Sequence, residues 1–231
     1  MSQHVPRAST PRGPGLRANP ELLSKVRGRL IAFEGIDGSG KSTQARLLLN
    51  RLGEQNALLT YEPGATPFGE RLRQMLLDPA RPGVSPLAEA ILVAADRAEH
   101  VSQVVAPALA AGRWVISDRY VGSTLAYQGY GRCLDLEALK GLVAFATGGL
   151  EADLNVLVRV PLGVARARLT NEAQDRLERL DAAFHERVLQ GYEAIAASDP
   201  CWVTVDGTDS VEEVGRQVSL LISERLGPVP F

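Results

Sequence analysis

Cysteine and lysine are both scarce in this chain of 231 residues. The two cysteines, Cys133 and Cys201, lie far apart and have no histidine at metal-ligand spacing, so the sequence signals neither a disulfide framework nor a zinc site. Such cysteine usage fits a reducing cytoplasm. No apolar run approaches the ~20 residues that a membrane-spanning helix needs. We therefore expect a soluble protein with no membrane partner.

Neither sign of charge dominates the composition. The 25 lysine and arginine residues oppose 27 aspartate and glutamate residues, and the formal net charge is -2. This balance argues against a nucleic-acid partner. Only Lys25, Lys41 and Lys140 are lysines, so a lysine inside a motif is a strong signal here. Hydrophobic residues make up 45% of the chain, enough for an ordinary globular core.

The first residues differ in composition from the rest. Residues 1–28 hold four prolines, are rich in arginine and show no apolar periodicity, which predicts a flexible basic tail. A targeting or anion-binding role for this tail stays open. Residues 29–231 are predicted to form one domain.

Short apolar runs alternate with helical patterns from residue 29 onward. This alternation predicts an α/β fold, with a parallel sheet covered by helices on both faces. The predicted strands are 29–35, 57–62, 114–118, 154–160 and 202–206, and the predicted helices are 43–53, 68–78, 86–112, 135–146, 162–170, 177–197 and 210–226.

A phosphate-binding loop follows the first predicted strand. The segment from Gly35 to Ser42 matches the pattern G-x-x-x-x-G-K-[ST] at every fixed position. Glycines let successive backbone N–H groups turn toward phosphates, and the following helix aims its positive end at them. Lys41 would reach the β- and γ-phosphates, and the Ser42 hydroxyl can ligate Mg²⁺. The predicted ATP-binding residues are Gly35, Ile36, Asp37, Gly38, Ser39, Gly40, Lys41, Ser42 and Thr43.

A second candidate group follows the third predicted strand. Arg119 can grip a phosphate with two parallel hydrogen bonds, and Asp118 can hold Mg²⁺ or its water. Because open α/β sheets bind ligands at the carboxyl ends of their strands, both residues should lie near the P-loop. A P-loop alone fits an ATPase, a GTPase, a kinase or a switch protein. The chain has no N-K-x-D guanine-reading pattern, which argues against a GTPase.

Five segments together resemble the thymidylate kinase family, P-loop nucleoside monophosphate kinases that phosphorylate dTMP with ATP. They occur in the family's order and are FEGIDGSGKSTQ (33–44), EPGATPFGERLR (62–73), AADRAEHV (94–101), SDRYVGSTLAYQGYGR (117–132) and DRLE (175–178). The resemblance implies a three-layer P-loop kinase fold, a five-stranded parallel sheet and a mobile lid at about 166–178. It also implies a homodimer and a requirement for Mg²⁺.

The resemblance also assigns roles to individual residues. Asp37 would face the dTMP sugar or the metal, Arg119 the dTMP phosphate and Arg97 the thymine edge. Asp118 and Ser42 would hold Mg²⁺, and a lid arginine, Arg168 or Arg176, would compensate charge in the transition state. The implied catalytic residues are Lys41, Asp118, Arg119, Arg168 and Arg176, and the implied dTMP-binding residues are Asp37, Glu62, Arg73, Arg97, Arg119, Thr124, Tyr127 and Gln128.

Three positions depart from the family pattern. Tyr61 stands where the family has an arginine, Val93 where it has a phenylalanine that stacks on thymine, and Arg159 where it has an acid. We expect a working but weaker dTMP kinase, unless Arg73 or a tail arginine replaces the missing contact. Two alternatives remain: a non-catalytic nucleotide-binding protein and a kinase with another nucleotide acceptor. His100 is expected to pack or to lie at the surface.

Overall fold

The computed structural model describes residues 28–80, 83–169 and 174–227, and within them five strands form one parallel sheet. This confirms the predicted α/β class and sheet. The tail predicted at 1–28 lies outside the described residues except for residue 28. The strands are β1 (Leu30–Glu34), β2 (Ala57–Tyr61), β3 (Trp114–Asp118), β4 (Leu154–Arg159) and β5 (Trp202–Asp206), arranged in the order β2-β3-β1-β4-β5.

Helices cover both faces of this sheet. Several begin at a serine, threonine or aspartate whose side chain accepts a hydrogen bond from the first turn, as Thr66, Ser85 and Asp181 do. In the described ranges no helix combines the length and hydrophobicity needed to cross a membrane. The helices are α1 (Lys41–Leu52), α2 (Pro67–Leu77), α3 (Pro86–His100), α4 (Ala106–Ala110), α5 (Val121–Thr124), α6 (Leu136–Thr147), α7 (Leu162–Arg168), α8 (Ala182–Ser198) and α9 (Val211–Leu226).

Helix boundaries account for the main corrections to the sequence prediction. The helix predicted over 86–112 is interrupted by a π-helical segment, Val101–Val105, because Pro107 has no N–H to continue the regular ladder. The helix predicted over 177–197 begins only at Ala182, where Asp181 caps it. A second π-helical segment, Leu125–Gly131, continues α5 and was not predicted.

Strand β1 is the centre of the core. Its alternate residues point to opposite faces of the sheet. Ile31 and Phe33 pack with α1 and α9, whereas Leu30 and Ala32 pack with the segment around α4. All four side chains are fully buried. β1 therefore packs against the helices on both faces of the sheet.

The parallel register brings two loops together. Phe33 of β1 pairs with Asp118 of β3, so the P-loop after β1 and Arg119 after β3 leave the same edge of the sheet. β4 pairs with β1 on the side opposite β3. The strand order therefore extends in one direction from β1 through β3 and β2, and in the other direction through β4 and β5, so it switches at β1. Such a position is where open α/β sheets bind ligands.

Candidate active site

The P-loop has the open backbone that phosphate binding requires. Gly38 and Gly40 have φ angles of 80° and 95°, in the left-handed region that favours glycine. A Cβ on Gly38 would lie 2.4 Å from the carbonyl oxygen of Ala165, so a side chain there has no room. Helix α1 begins at Lys41, and its first N–H groups face the loop. The loop and helix together form an anion cradle.

Asp37 lies at the meeting point of two cations. Its carboxylate accepts a hydrogen bond from Lys41 Nζ at 3.3 Å and one from Arg119 at 2.5 Å. The Tyr127 hydroxyl donates to its other oxygen at 2.9 Å. Burial would raise the pKa of Asp37, but the charges of Arg119 and Lys41 outweigh burial and hold the pKa well below its usual range. Asp37 is therefore a permanent anion at physiological pH.

Ser42 and Asp118 form a pair of oxygen ligands beside the cradle. The Ser42 hydroxyl donates a hydrogen bond to Asp118 Oδ2. Asp118 Oδ1 is buried and has no hydrogen-bond partner among the residues that the structure describes. A carboxylate and a hydroxyl are hard oxygen donors of the type that Mg²⁺ prefers. The donor set fits a Mg²⁺ ion next to the triphosphate position.

Arg119 is held by several groups in a backbone conformation that is uncommon for arginine, with φ at 74°. Its guanidinium donates to Gly35 O and Ser123 Oγ, each at 3.1 Å, and to the Tyr192 hydroxyl at 3.2 Å. Burial disfavours the charged guanidinium, but the charge of Asp37 outweighs it and raises the pKa of Arg119. This cation is therefore fixed before any ligand arrives.

Glu34, at the end of β1, supports the loop that carries Arg119. Its carboxylate accepts hydrogen bonds from the backbone N–H of Tyr120 at 2.9 Å and from the Ser123 hydroxyl at 2.7 Å. The Tyr192 hydroxyl donates to the same carboxylate at 3.1 Å. Burial raises the pKa of Glu34. Glu34 therefore connects the end of β1 to the segment that follows β3.

A cavity opens beside these loops, lined by residues of the P-loop, of α3 and of the segment after β3. Val93 lines its wall, so the cavity has an aliphatic side chain where the family pattern has phenylalanine. The structure brings together at this cavity all eight residues that the resemblance implied for dTMP: Asp37, Glu62, Arg73, Arg97, Arg119, Thr124, Tyr127 and Gln128.

Arg97 is locked into the cavity wall. It is 1% exposed and donates to Glu62 Oε2, to Thr124 Oγ1 and to the Tyr120 carbonyl, each at 2.8 Å. The other oxygen of Glu62 lies 2.8 Å from His100 Nδ1, and His100 Nε2 lies 2.6 Å from Thr60 Oγ1. Glu62 therefore uses both oxygens to hold neighbours. His100 is a fully buried part of this chain of contacts.

Arg73 is the cation on the side of the cavity where Tyr61 stands. Tyr61 is 45% exposed, and the Arg73 guanidinium lies 6.0 Å from the centre of its ring. Arg73 donates to the Pro63 carbonyl at 2.9 Å and lines the cavity. The tail arginines lie outside the described residues. Arg159 pairs with Glu193 at 2.5 Å, and half of its side chain is exposed.

The two candidate lid arginines lie in different places. Arg168, at the end of α7, donates to the carbonyls of Gly38 and Ser39 at 3.3 Å, so it lies against the P-loop. Arg176 donates instead to the Leu76 carbonyl at 2.7 Å and to Glu89 at 3.0 Å. The structure therefore brings Arg168 to the P-loop and holds Arg176 at Glu89, which lines the cavity.

Sequence reasoning missed four supporting residues: Glu34, Glu89, Ser123 and Tyr192. An acid inside the apolar run of β1 was the available signal for Glu34. Tyr192 is 158 residues away from Glu34 in sequence, and nothing in its local pattern marks it. Ser123 lies inside a segment that carries the resemblance but was assigned no role, and Glu89 lies between two such segments, 62–73 and 94–101.

Comparison with known proteins gives consistent matches. The family model described as Thymidylate kinase matches residues 33–218. The chain is 47% identical over 199 residues to a thymidylate kinase from Symbiobacterium thermophilum, covering 85% of this chain and 93% of that protein. It is also 47% identical over 192 residues to one from Carboxydothermus hydrogenoformans, covering 82% and 94%. The crystal structure of thymidylate kinase from Ehrlichia chaffeensis superposes with a TM-score of 0.71 at 31% identity, covering 85% of this chain and 99% of that one.

Proposed function

The chain belongs to the thymidylate kinase family and phosphorylates dTMP; we propose that ATP is the donor and that the P-loop and the adjoining cavity hold the two nucleotides end to end. One observation carries this proposal. Asp37 contacts a cation of the P-loop, Lys41, and a cation of the cavity, Arg119. The two binding regions therefore meet at a single carboxylate, where a phosphoryl group can pass between them.

The donor side consists of the P-loop and Arg168. Backbone N–H groups at the start of α1 bind the β- and γ-phosphates of ATP, and Lys41 adds a positive charge. Lys41 is only 6% exposed, so its charge acts in a partly dehydrated site. Arg168, which lies against Gly38 and Ser39, supplies the charge that compensates the transition state.

The acceptor side is the cavity. Arg119 binds the phosphate of dTMP, and Arg73 adds the second cation that Tyr61 cannot supply. Arg97, Thr124 and Gln128 surround the base. Val93 contacts the base without an aromatic face, which removes about 0.5–1.5 kcal/mol of stacking.

Ser42 and Asp118 would hold Mg²⁺, directly or through water, which fits the unpartnered Oδ1 of Asp118. When bound, Mg²⁺ neutralises charge on the phosphates. Lys41, Arg119 and Arg168 surround the transferred group, and they favour the charge distribution of the transition state over that of the bound substrates. A phosphate oxygen of dTMP attacks the γ-phosphorus in line, while the bond from that phosphorus to the β,γ-bridging oxygen breaks and ADP leaves with the electron pair. The acceptor oxygen is already ionised, so positioning carries most of the rate.

We also propose a homodimer. Leu87 and Ile91 of α3 are 59% and 50% exposed, and Phe145 of α6 is 89% exposed. Large apolar side chains at such exposure favour burial against another copy. The exposed free thiols of Cys133 and Cys201 fit a reducing compartment, which supports a cytoplasmic location.

Measuring ADP release from ATP and Mg²⁺ with dTMP, dUMP, thymidine, dCMP and dGMP tests the proposed function. We expect turnover with dTMP, and loss of that turnover in a Lys41→Ala variant. Turnover with another acceptor but not with dTMP would support a kinase of different specificity. Nucleotide binding without turnover would support a non-catalytic protein. A rate that survives Lys41→Ala would mean that the activity belongs to another site or a contaminant.

A further inference from the structure

Glu89 is a fully buried acid that the mechanism above does not use. It lies on α3 and accepts hydrogen bonds from Arg132 at 2.9 and 3.1 Å, from Arg176 at 3.0 Å and from Gln128 at 3.0 Å. Burial alone would raise the pKa of Glu89, but the hydrogen bonds from Arg132 and Gln128 and the charge of Arg132 outweigh it and lower the pKa. Glu89 is therefore an ionised carboxylate.

An ionised carboxylate fixes the orientation of a neighbouring amide. It accepts hydrogen bonds and cannot donate one. Only Nε2 of Gln128 can therefore face Glu89, which agrees with the contact of Nε2 to Glu89 Oε1. With Nε2 committed to Glu89, the carbonyl Oε1 is the atom that the amide can offer to a ligand. Gln128 lines the acceptor cavity, so the cavity wall presents a hydrogen-bond acceptor at this point.

Arg97 presents the opposite character on the same wall. A guanidinium has five N–H donors. Three atoms of Arg97 donate to Glu62, Thr124 and the Tyr120 carbonyl, which leaves two donors. Thr124, which Arg97 holds, precedes Gln128 by one helical turn. The wall thus combines a fixed acceptor with a fixed donor.

We propose that Glu89 is a positioning residue for base selection: it holds Gln128 in the one orientation that accepts a hydrogen bond from a pyrimidine ring N–H. Thymine and uracil carry a ring N–H beside a carbonyl, which matches Gln128 Oε1 and Arg97. Cytosine carries a bare ring nitrogen beside an amino group. The ring nitrogen would place a hydrogen-bond acceptor against Gln128 Oε1, and the amino group would place a donor against Arg97. This inference rests on the proposed function, because it requires the base to lie against Arg97 and Gln128.

A Glu89→Gln variant tests the inference. An amide at position 89 can donate as well as accept, so Gln128 can turn and offer Nε2 to cytosine. The ratio of kcat/KM for dTMP to that for dCMP should fall about tenfold, the worth of one hydrogen-bond mismatch. The ratio of kcat/KM for dTMP to that for dUMP should stay within about twofold of its wild-type value, since both bases carry the same ring N–H. A defect that only loosens the fold would lower kcat/KM for every acceptor and leave the ratios unchanged.

Arg132→Lys is the matched control, since it disturbs the same cluster but keeps a carboxylate at position 89. It should retain the wild-type ratio of dTMP to dCMP. If the wild-type enzyme does not phosphorylate dTMP, the proposed function itself is wrong. A wild-type preference for dTMP that persists unchanged in Glu89→Gln would overturn the inference alone.

If thermal unfolding shows that Glu89→Gln does not fold, Gln128→Met replaces it as the test. Methionine has a similar length and its sulfur accepts hydrogen bonds only weakly, so the ratio of kcat/KM for dTMP to that for dCMP should fall by a similar factor. An unchanged ratio in Gln128→Met would show that the amide does not select the base, and the inference would be wrong.

Discussion

The carboxylate of Asp37 binds the guanidinium of Arg119 at 2.5 Å and the ammonium of Lys41 at 3.3 Å. One anion thus sets the separation between the cation of the donor side and the cation of the acceptor side. Without it, two like charges would repel each other inside a partly buried site. The position of both cations therefore depends on a residue that lies between them.

Asp37→Asn should lower both activity and stability. Arg119 would lose its charged partner, so kcat/KM for dTMP should fall about tenfold to hundredfold, and the free energy of unfolding at pH 7 by about 1–3 kcal/mol. Because the pKa of Asp37 is lowered in the folded state, its contribution is present above pH ~4 and is lost as the pH falls through the lowered pKa. The unfolding free energies of wild type and variant, measured with urea, should converge in acid.

Glu193→Gln is the control for Asp37→Asn, since it removes the acid of an exposed ion pair with Arg159. Exposed pairs contribute little, so the free energy of unfolding should change by less than about 0.5 kcal/mol. An equal loss in both variants would show that the position of Asp37 has no special importance.

Arg73→Ala should weaken dTMP binding more than it slows the chemical step. Arg73 lines the cavity beside Tyr61, and a lost charge-assisted contact is worth about 1.5–3 kcal/mol. Steady-state kinetics should show KM for dTMP rising about tenfold to hundredfold. Arg71→Ala, at an exposed position on the same helix, should leave KM unchanged. A normal KM in Arg73→Ala would mean that another cation serves the acceptor phosphate.

Arg168→Ala and Arg176→Ala should differ in kind. Arg168 lies against the P-loop carbonyls, so its removal should lower kcat about 10²–10³-fold with little change in KM for dTMP. Arg176 binds Glu89 and the Leu76 carbonyl, so its removal should raise KM for dTMP and lower the melting temperature. Equal losses of kcat in both variants would contradict the separation of the two arginines.

Asp96→Asn should flatten the dependence of stability on pH. Asp96 Oδ1 accepts from the Gly64 N–H at 3.0 Å, while Oδ2 is buried without a partner among the described residues. Burial and the nearby charge of Glu62 raise the pKa of Asp96 to about 6, although the hydrogen bond from Gly64 and the charges of His100 and Arg97 partly offset them. The folded state then holds a proton that the unfolded state releases near pH 4, so the contribution of Asp96 to stability falls as the pH rises from about 4 to about 6.

Urea unfolding at pH 4 and pH 7 measures this effect. The change in unfolding free energy from pH 4 to pH 7 should be about 2–3 kcal/mol more negative in wild type than in Asp96→Asn. Asp209→Asn, at an exposed carboxylate, should show the same change as wild type. Identical curves for wild type and Asp96→Asn would show that Asp96 does not titrate in this range.

Much of the fold follows from local pattern. The five strands are short apolar runs bounded by glycine or polar residues, and the P-loop motif sits between a strand and a helix, so both are visible in sequence. The π-helical segments are not, because the shift of one residue in a helix leaves no periodic trace. The start of α8 was placed too early because its apolar pattern continues into the turn before the Asp181 cap.

The sequence predicted the residues of the candidate site better than the residues that hold them in place. The motifs and the family resemblance indicated Lys41, Asp118 and Arg119, which stand in conspicuous local strings. The partners of Glu34 and Glu89 come from distant parts of the chain: Arg176 is 87 residues from Glu89. Periodicity describes neighbours within a helix or strand and carries no information on such contacts. For the same reason the two lid arginines could not be told apart.

The carboxylate of Glu34 has a mechanical consequence for catalytic turnover. Since it fastens the ends of β1 and β3 to each other through Tyr120, Ser123 and Tyr192, the floor of the site is one stiff unit. We therefore expect nucleotides to enter and leave at the rim, around α2 and α7, while Lys41 and Arg119 keep their spacing from one catalytic cycle to the next.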